Sequence, residues 1–275
     1  DNGWSVAVDV ANTNTQTFSN ARVTVGVPAL GDVRIDMGSS GTGIDRMDDS
    51  IPTAWEEAYG AGLGSGIDNI TGASAGQGIE ITPSALTPSG IVARLFWTPD
   101  AGGANSGDKT SSGGATTDIL GSGYDITIEA SGDATPDGLK IFGGYSSVDQ
   151  FQNATGTNSD ITEWTAGIEY AVGSFTLGYQ YSDEDNGGAT TKTGYINEGY
   201  GIVFAVNDDL SLSYNNYDSE QQGSQAQTST EASSIQVAYS AGGLSIRIAE
   251  QSVDNKNYTT GAANSRDATT LSVAL

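Results

Sequence analysis

Residues 169–183 read Glu169-Tyr170-Ala171-Val172-Gly173-Ser174-Phe175-Thr176-Leu177-Gly178-Tyr179-Gln180-Tyr181-Ser182-Asp183. From Phe175 onward the side chains alternate, with Phe175, Leu177, Tyr179 and Tyr181 on one face and Thr176, Gly178 and Gln180 on the other. A repeat of two residues is the mark of a β-strand, whose successive side chains point to opposite faces. Val172-Gly173-Ser174 supplies the turn chemistry that joins this strand to the one before it. The second face decides the fold. It is polar or tiny, so only one side of the strand offers an apolar surface.

The same pattern recurs outward from this hairpin. Trp4, Val6, Val8 and Val10 alternate with Ser5, Ala7 and Asp9, and Val23, Val25 and Val27 alternate with Arg22, Thr24 and Gly26. Val33, Ile35 and Met37 alternate with Asp32, Arg34 and Asp36. Further segments fall at 78–83, 91–98, 124–130, 139–148, 162–171, 174–183, 195–206, 210–219, 233–240, 244–254 and 268–275, about fourteen strands in all. Helical spacing of apolar residues is hard to find, and no stretch approaches the ~20 apolar residues of a membrane helix.

The links between segments alternate in length. Short turns stand at 28–31, 172–174, 207–209 and 240–243, with medium ones at 84–90 and 131–138. Long polar loops stand between them at 11–20, 39–77, 99–123, 149–160, 184–194, 220–232 and 256–266. A meander with short links on one rim and long links on the other is the pattern of an outer-membrane barrel. Leu212 and Tyr214 oppose Ser211, Ser213 and Asn215, and Ile246 and Ile248 oppose Ser245 and Arg247. If the polar face lines a wide interior, the apolar face must meet lipid. Trp97, Trp164, Tyr170, Tyr179, Tyr181, Tyr200, Tyr214 and Tyr239 lie near strand ends, where interfacial aromatic belts sit. The expected fold is therefore an all-β, transmembrane, antiparallel up-and-down β-barrel in a single domain, 1–275. A soluble acidic surface protein or adhesin is the alternative, and the missing second hydrophobic face weighs against it.

Composition narrows the chemistry. The chain has 275 residues, 38 Gly, no Cys, no His and a formal net charge of −24, with 34 Asp+Glu against 10 Lys+Arg. So few bases exclude a nucleic-acid partner, which would need clustered cations. Without Cys or His there is no disulfide, no thiolate zinc site and no ordinary general base. No catalytic residue is assigned, and an enzyme is not expected.

Three stretches resemble the general porins of Gram-negative outer membranes. They are the hairpin over 22–38, the strand Gly78-Ile79-Glu80-Ile81-Thr82-Pro83-Ser84, and the hairpin Glu169–Tyr179. The resemblance implies a 16-stranded homotrimer embedded in outer-membrane lipid and lipopolysaccharide, passing ions and small hydrophilic solutes without a cofactor. It also implies that residues 39–77 fold into the pore as the constriction loop, and that loop 11–20 reaches a neighbouring subunit. In that family the constriction loop follows the fifth strand, whereas here it follows the third. The resemblance thus implies that two N-terminal strands and the terminal aromatic are lacking; taken as complete, the chain would form a 14-stranded barrel.

The expected site is electrostatic. Loop 39–77 carries Asp45, Asp48, Asp49, Glu56, Glu57 and Asp68, with Arg46 its only base. The wall opposite carries Arg22, Arg34 and Arg94, with Arg247 further round. Lumen placement of these cations is required physically, since an Arg facing lipid near mid-membrane costs roughly 2–4 kcal/mol. Acids of the loop facing bases of the wall would set a transverse field and a modest cation preference. Pinning of the loop to the wall is the plainer role for the same pairs. Asp45, Asp48 and Asp49 could also bind Ca2+, as clustered carboxylates supply hard oxygen ligands. Trp55 and Tyr59 beside Glu56-Glu57 read as loop packing before a sugar platform. Adjacent Glu56-Glu57 do not fix the carboxylate separation of a glycosidase, and the sequons at Asn69, Asn153 and Asn257 carry no force in a bacterial barrel. A substrate-specific channel stands as the remaining alternative.

Overall fold

The computed structural model describes residues 3–12, 18–36, 41–60, 62–75, 77–101, 120–150, 159–187, 194–223 and 228–275. Fourteen strands follow one another in a single antiparallel sheet whose spatial order is the order of the sequence. They are β1 (Ser5–Asn12), β2 (Phe18–Val27), β3 (Gly31–Asp36), β4 (Gly78–Thr82), β5 (Ile91–Thr98), β6 (Leu120–Ala130) and β7 (Leu139–Gln150). The second half holds β8 (Ile161–Val172), β9 (Phe175–Asp185), β10 (Gly194–Asn207), β11 (Leu210–Gln222), β12 (Ser229–Ala241), β13 (Leu244–Asp254) and β14 (Arg266–Ala274). Each expected segment coincides with one strand. The expected all-β, antiparallel up-and-down meander is what the strands form; among the described residues no ladder joins β14 to β1, so the sheet has a seam there.

The turns obey backbone sterics. Gly242 and Gly243 link β12 to β13 with φ of +60° and +90°, the conformation that a two-residue hairpin needs and that residues with a Cβ resist. The turns of this rim are stitched to the adjoining hairpins. The Ala85 N–H donates to Leu30 O, Ser131 N–H to Gly90 O, Ala171 N–H to Gly138 O, Ala205 N–H to Ser174 O and Ser240 N–H to Asp209 O. These five bonds run round the short-turn edge and hold its hairpins level. The opposite rim carries the long loops.

Register assigns the two faces. Ile168 faces Tyr179, Tyr179 faces Tyr200, and Ile202 faces both Leu177 and Tyr214 across successive ladders. This outward face stays uncovered: Leu95 is 49 % exposed, Ile126 46 %, Leu177 43 % and Leu271 62 %. Among the described residues no second sheet packs on it. A water-soluble monomer does not leave so continuous an apolar surface bare. Among the described residues no helix is long and apolar enough to cross a membrane, which says nothing of spanning by strands.

The inward face is polar, and burial there comes from the loop after β3. Asp125, Thr127, Ser146, Thr165, Gln180, Ser213, Asn215, Gln236 and Gln251 all point inward and are buried. Small apolar clusters join them to the loop. Ile51 and Ala58 pack with Tyr217, Ala232 and Val253, while Ala73 packs with Phe96, Ala101 and Val148.

Candidate functional site

Residues 41–60 and 62–75 form a strap across the inner face, running from β4 to β13 and back. Three wall carboxylates grip its backbone. Glu80 accepts the Gly43 N–H at 2.9 Å, and Asp125 accepts the Ile44 and Ala73 N–H groups, each at 3.0 Å. Glu163 accepts Gly72 N–H at 2.7 Å and Thr71 N–H at 3.2 Å. Charged acceptors bind N–H groups more strongly than neutral ones, and each buried carboxylate is satisfied in this way. The 3-10 turns at Gly43–Met47 and Gly72–Ala75 present these donors together.

Further round, amides replace carboxylates. Gln180 donates to Met47 O at 2.7 Å, and Asn197 donates to Asp68 O at 3.0 Å. Ala54 N–H donates to Ser213 Oγ at 2.9 Å, Glu56 N–H to Gln236 Oε1 at 3.0 Å, and Leu63 N–H to Gln251 Oε1. Glycines let the strap sit close. A Cβ on Gly201 would lie 2.6 Å from both Ile51 Cγ2 and Pro52 O, and one on Gly178 would strike the Pro52 ring. The strap is thus both bonded and keyed to the wall.

The bases gather on one side. Arg34 pairs with Asp36 at 2.8 Å, with Arg22 at 3.8 Å from the same carboxylate. Arg46, carried by the strap, pairs with Glu80, and Arg34 stands 4.0 Å from that carboxylate. Below them Arg94 pairs with Glu129, which Lys140 also approaches at 3.4 Å. Arg22, Arg34 and Arg94 therefore lie on the inward face of the sheet. Their partners differ from the expected arrangement: the acids Asp36, Glu80 and Glu129 of the wall itself meet them, not those of the strap. Arg247 faces inward on β13, is exposed, and forms no ion pair with the described residues.

Of the strap acids, Asp45, Asp48, Asp49 and Glu57 are brought together. Burial, then Asp49 and Asp45, pushes the Asp48 carboxyl up to about 8. Burial, then Asp49, raises Glu57 to about 7. Asp45 is also raised, by burial first, against the lowering effect of the Gly41 N–H. Arg46 is lowered by burial, which its Glu80 partner opposes. Glu56 is held by its backbone and leaves its carboxylate exposed. Asp68 lies apart, with its N–H on Tyr258 Oη at 2.8 Å and its carboxylate near Glu184 and Tyr195. Among the described residues, no group of three or more His, Cys, Asp or Glu side chains is arranged to hold a metal, and this covers Asp45, Asp48 and Asp49.

Glu80, Asp125, Glu163, Gln180, Gln236, Gln251, Gly178 and Gly201 were not singled out as site residues from sequence. Their signal was present: each occupies the polar phase of an alternating strand. What sequence could not supply was the path of the strap, which turns these scattered positions into one surface.

Fold and site together define the class: this is the fold of the outer-membrane β-barrels, with a long loop laid against the inner wall. Solved structures of that class match it over nearly the whole chain. OmpF of Salmonella typhi, in complex with daunomycin, matches with a TM-score of 0.63 at 11% identity, covering 95% of this chain and 79% of that one. An engineered variant of the Rh. blastica porin matches with a TM-score of 0.57 at 17% identity, over 100% of this chain and 85% of that one. OmpT of Vibrio cholerae matches with a TM-score of 0.58 at 13% identity, over 95% and 80% respectively. No protein-family model matches the chain, and no curated protein matches it by sequence.

Proposed function

We propose that this protein is an outer-membrane porin: a water-filled channel for passive diffusion of ions and small hydrophilic solutes, mildly cation-selective and without catalysis. One observation carries the reading. The apolar phase of the strands is uncovered while the polar phase faces a strap that narrows the interior. Such a wall is stable only with hydrocarbon outside and water within.

Selectivity follows from charge. The wall bases Arg22, Arg34 and Arg94 are already neutralised by wall acids, whereas Asp49 and Glu56 on the strap are exposed and unneutralised by ion pairs among the described residues. Negative potential in a narrow, low-dielectric passage concentrates cations. The surroundings are outer-membrane lipid and lipopolysaccharide, and the assembly is a homotrimer by the resemblance described above. Of loop 11–20, the expected subunit contact, residues 13–17 lie outside the described residues.

Planar-bilayer recording of purified protein tests this. Stepwise conductance in groups of three, with a reversal potential favouring cations, is the expected result. Reversing charge at Asp48 and Asp49 should lower the preference. Absence of steps, or release of the protein from membranes by chelator or salt without detergent, would overturn the channel reading in favour of a surface protein.

A further inference from the structure

Between Ser65 and Asp68, at its far bend, the strap meets a loop as well as the wall. The link from β13 to β14 folds inward over it. Asn257 N–H donates to Ser65 O at 3.0 Å, and Asp68 N–H donates to Tyr258 Oη at 2.8 Å. A Cβ on Gly66 would lie 1.9 Å from Asn257 Oδ1, so strap and loop are closely fitted. The near limbs of the strap are held differently, on Glu80, Asp125 and Glu163 of the strands β4, β6 and β8.

The loop segment that makes these contacts is strained. Asn255, Asn257 and Tyr258 have φ of +52°, +54° and +55°, and no other non-glycine residue among those described is left-handed. Asn adopts this conformation more readily than most residues, but a bulky side chain such as Tyr258 does so only under constraint. The constraint is visible. Tyr258 N–H donates to Thr230 Oγ1 at 2.9 Å, its hydroxyl lies 2.7 Å from Ser219 Oγ, and its ring packs on Tyr195 with centroids 5.0 Å apart. Thr230 Oγ1 in turn donates to Asn255 O at 2.9 Å, and Asn255 Nδ2 donates to Ser229 O at 3.2 Å. These bonds tie the turn to β11 and β12 on one side and to the strap on the other. Residues in such conformations persist where their surroundings over-determine them, and they gather at clamps and switch regions.

We propose that residues 255–258 are a latch, with Tyr258 its positioning residue, that fixes the far bend of the strap and thereby the largest solute that passes. The inference rests on the channel reading and names what sets its size limit. The strained turn relaxes once its bonds are lost, so removing one of them releases the bend.

Hydrogen exchange of the detergent-solubilised protein, read amide by amide, tests the latch without a membrane. Swelling of protein-containing vesicles in glucose and in the trisaccharide raffinose tests its effect on size selection. Tyr258→Phe keeps the ring and removes the hydroxyl. The Asp68 amide should then exchange at least about fivefold faster, the worth of one net hydrogen bond. The Ile44 and Gly72 amides, held by Asp125 and Glu163, should keep their wild-type rates. Thr230→Val removes the support of the latch from β12 without removing a bond to the strap, and should have the same effect. In both variants the ratio of raffinose to glucose uptake should rise above that of the wild type. An unchanged Asp68 amide in both variants, or faster exchange with an unchanged uptake ratio, would overturn the proposal. Loss of protection throughout the strap would overturn it too, since general loosening is not release of one bend. If Tyr258→Phe does not fold, Thr230→Val decides. Wild-type vesicles that admit neither sugar would defeat the channel reading, whereas the Asp68 rates would still judge the latch.

Discussion

Asp125 uses both carboxylate oxygens, Oδ2 for Ile44 N–H and Oδ1 for Ala73 N–H. Asn at this position keeps one acceptor and turns the other into a donor aimed at a donor. Asp125→Asn should cost about 1.5–3 kcal/mol of strap attachment, the range for a hydrogen bond to a charged group. The expected readouts are noisier, larger single-channel steps and a lower Tm; unchanged channels would deny Asp125 its anchoring role. Asp48 and Glu57 predict a pH response with a definite sign. Their folded values, about 8 and about 7, lie above those of ordinary carboxylates. The packed strap thus favours the neutral forms, so this contribution to stability is present at acid pH and is lost as pH rises through about 7 to 8. Over the same window the passage gains negative charge. Reversal potentials in a KCl gradient should shift toward cations between pH 6 and 9, and Asp48→Asn should flatten the upper part of that shift. A flat wild-type profile would take both groups out of the ion path.

The strap is an element only because the wall has been cut to receive it. Gly201→Val would put branched carbon where Ile51 and Pro52 already sit, so the tip of the strap must lift. The expected outcome is increased conductance and faster proteolysis within residues 41–75, and a variant matching wild type in both would show that the keying is slack. Strand elements were legible in sequence because lipid-facing alternation is a local property: Phe175, Leu177 and Tyr179 announce their face without reference to any neighbour. The bases Arg22, Arg34 and Arg94 were equally legible, since their side follows from the same phase. Their pairing was not. Glu80 and Glu129 reach those bases from neighbouring strands, and that juxtaposition depends on register, which the alternation alone leaves open by steps of two. Tyr217 was hidden for a related reason: it occupies the polar phase of β11, and only the folded strap shows it packed against Tyr59, Ile51 and Ala58.

At the scale of the whole molecule, fourteen strands share one polarity of faces, and the open seam between β14 and β1 does not alter it. Ile126 lies near the middle of β6 on the outward face, so Ile126→Arg should destabilise the membrane-inserted protein by about 2–4 kcal/mol. Ser211→Arg, inward near the short-turn rim, should be tolerated; equal losses in urea titrations from lipid vesicles would contradict the assignment of faces. The central claim is that water lies on the polar side of this wall and hydrocarbon on the other. The chain has no native cysteine, so single spin-labelled cysteines can be placed at the adjacent pairs Thr176 and Leu177, Ser211 and Leu212, and Arg247 and Ile248. In reconstituted vesicles, Leu177, Leu212 and Ile248 should collide with dissolved oxygen, while Thr176, Ser211 and Arg247 should collide with a water-soluble nickel chelate. If the nickel chelate reaches both members of each pair alike, the wall does not divide lipid from water and the account fails.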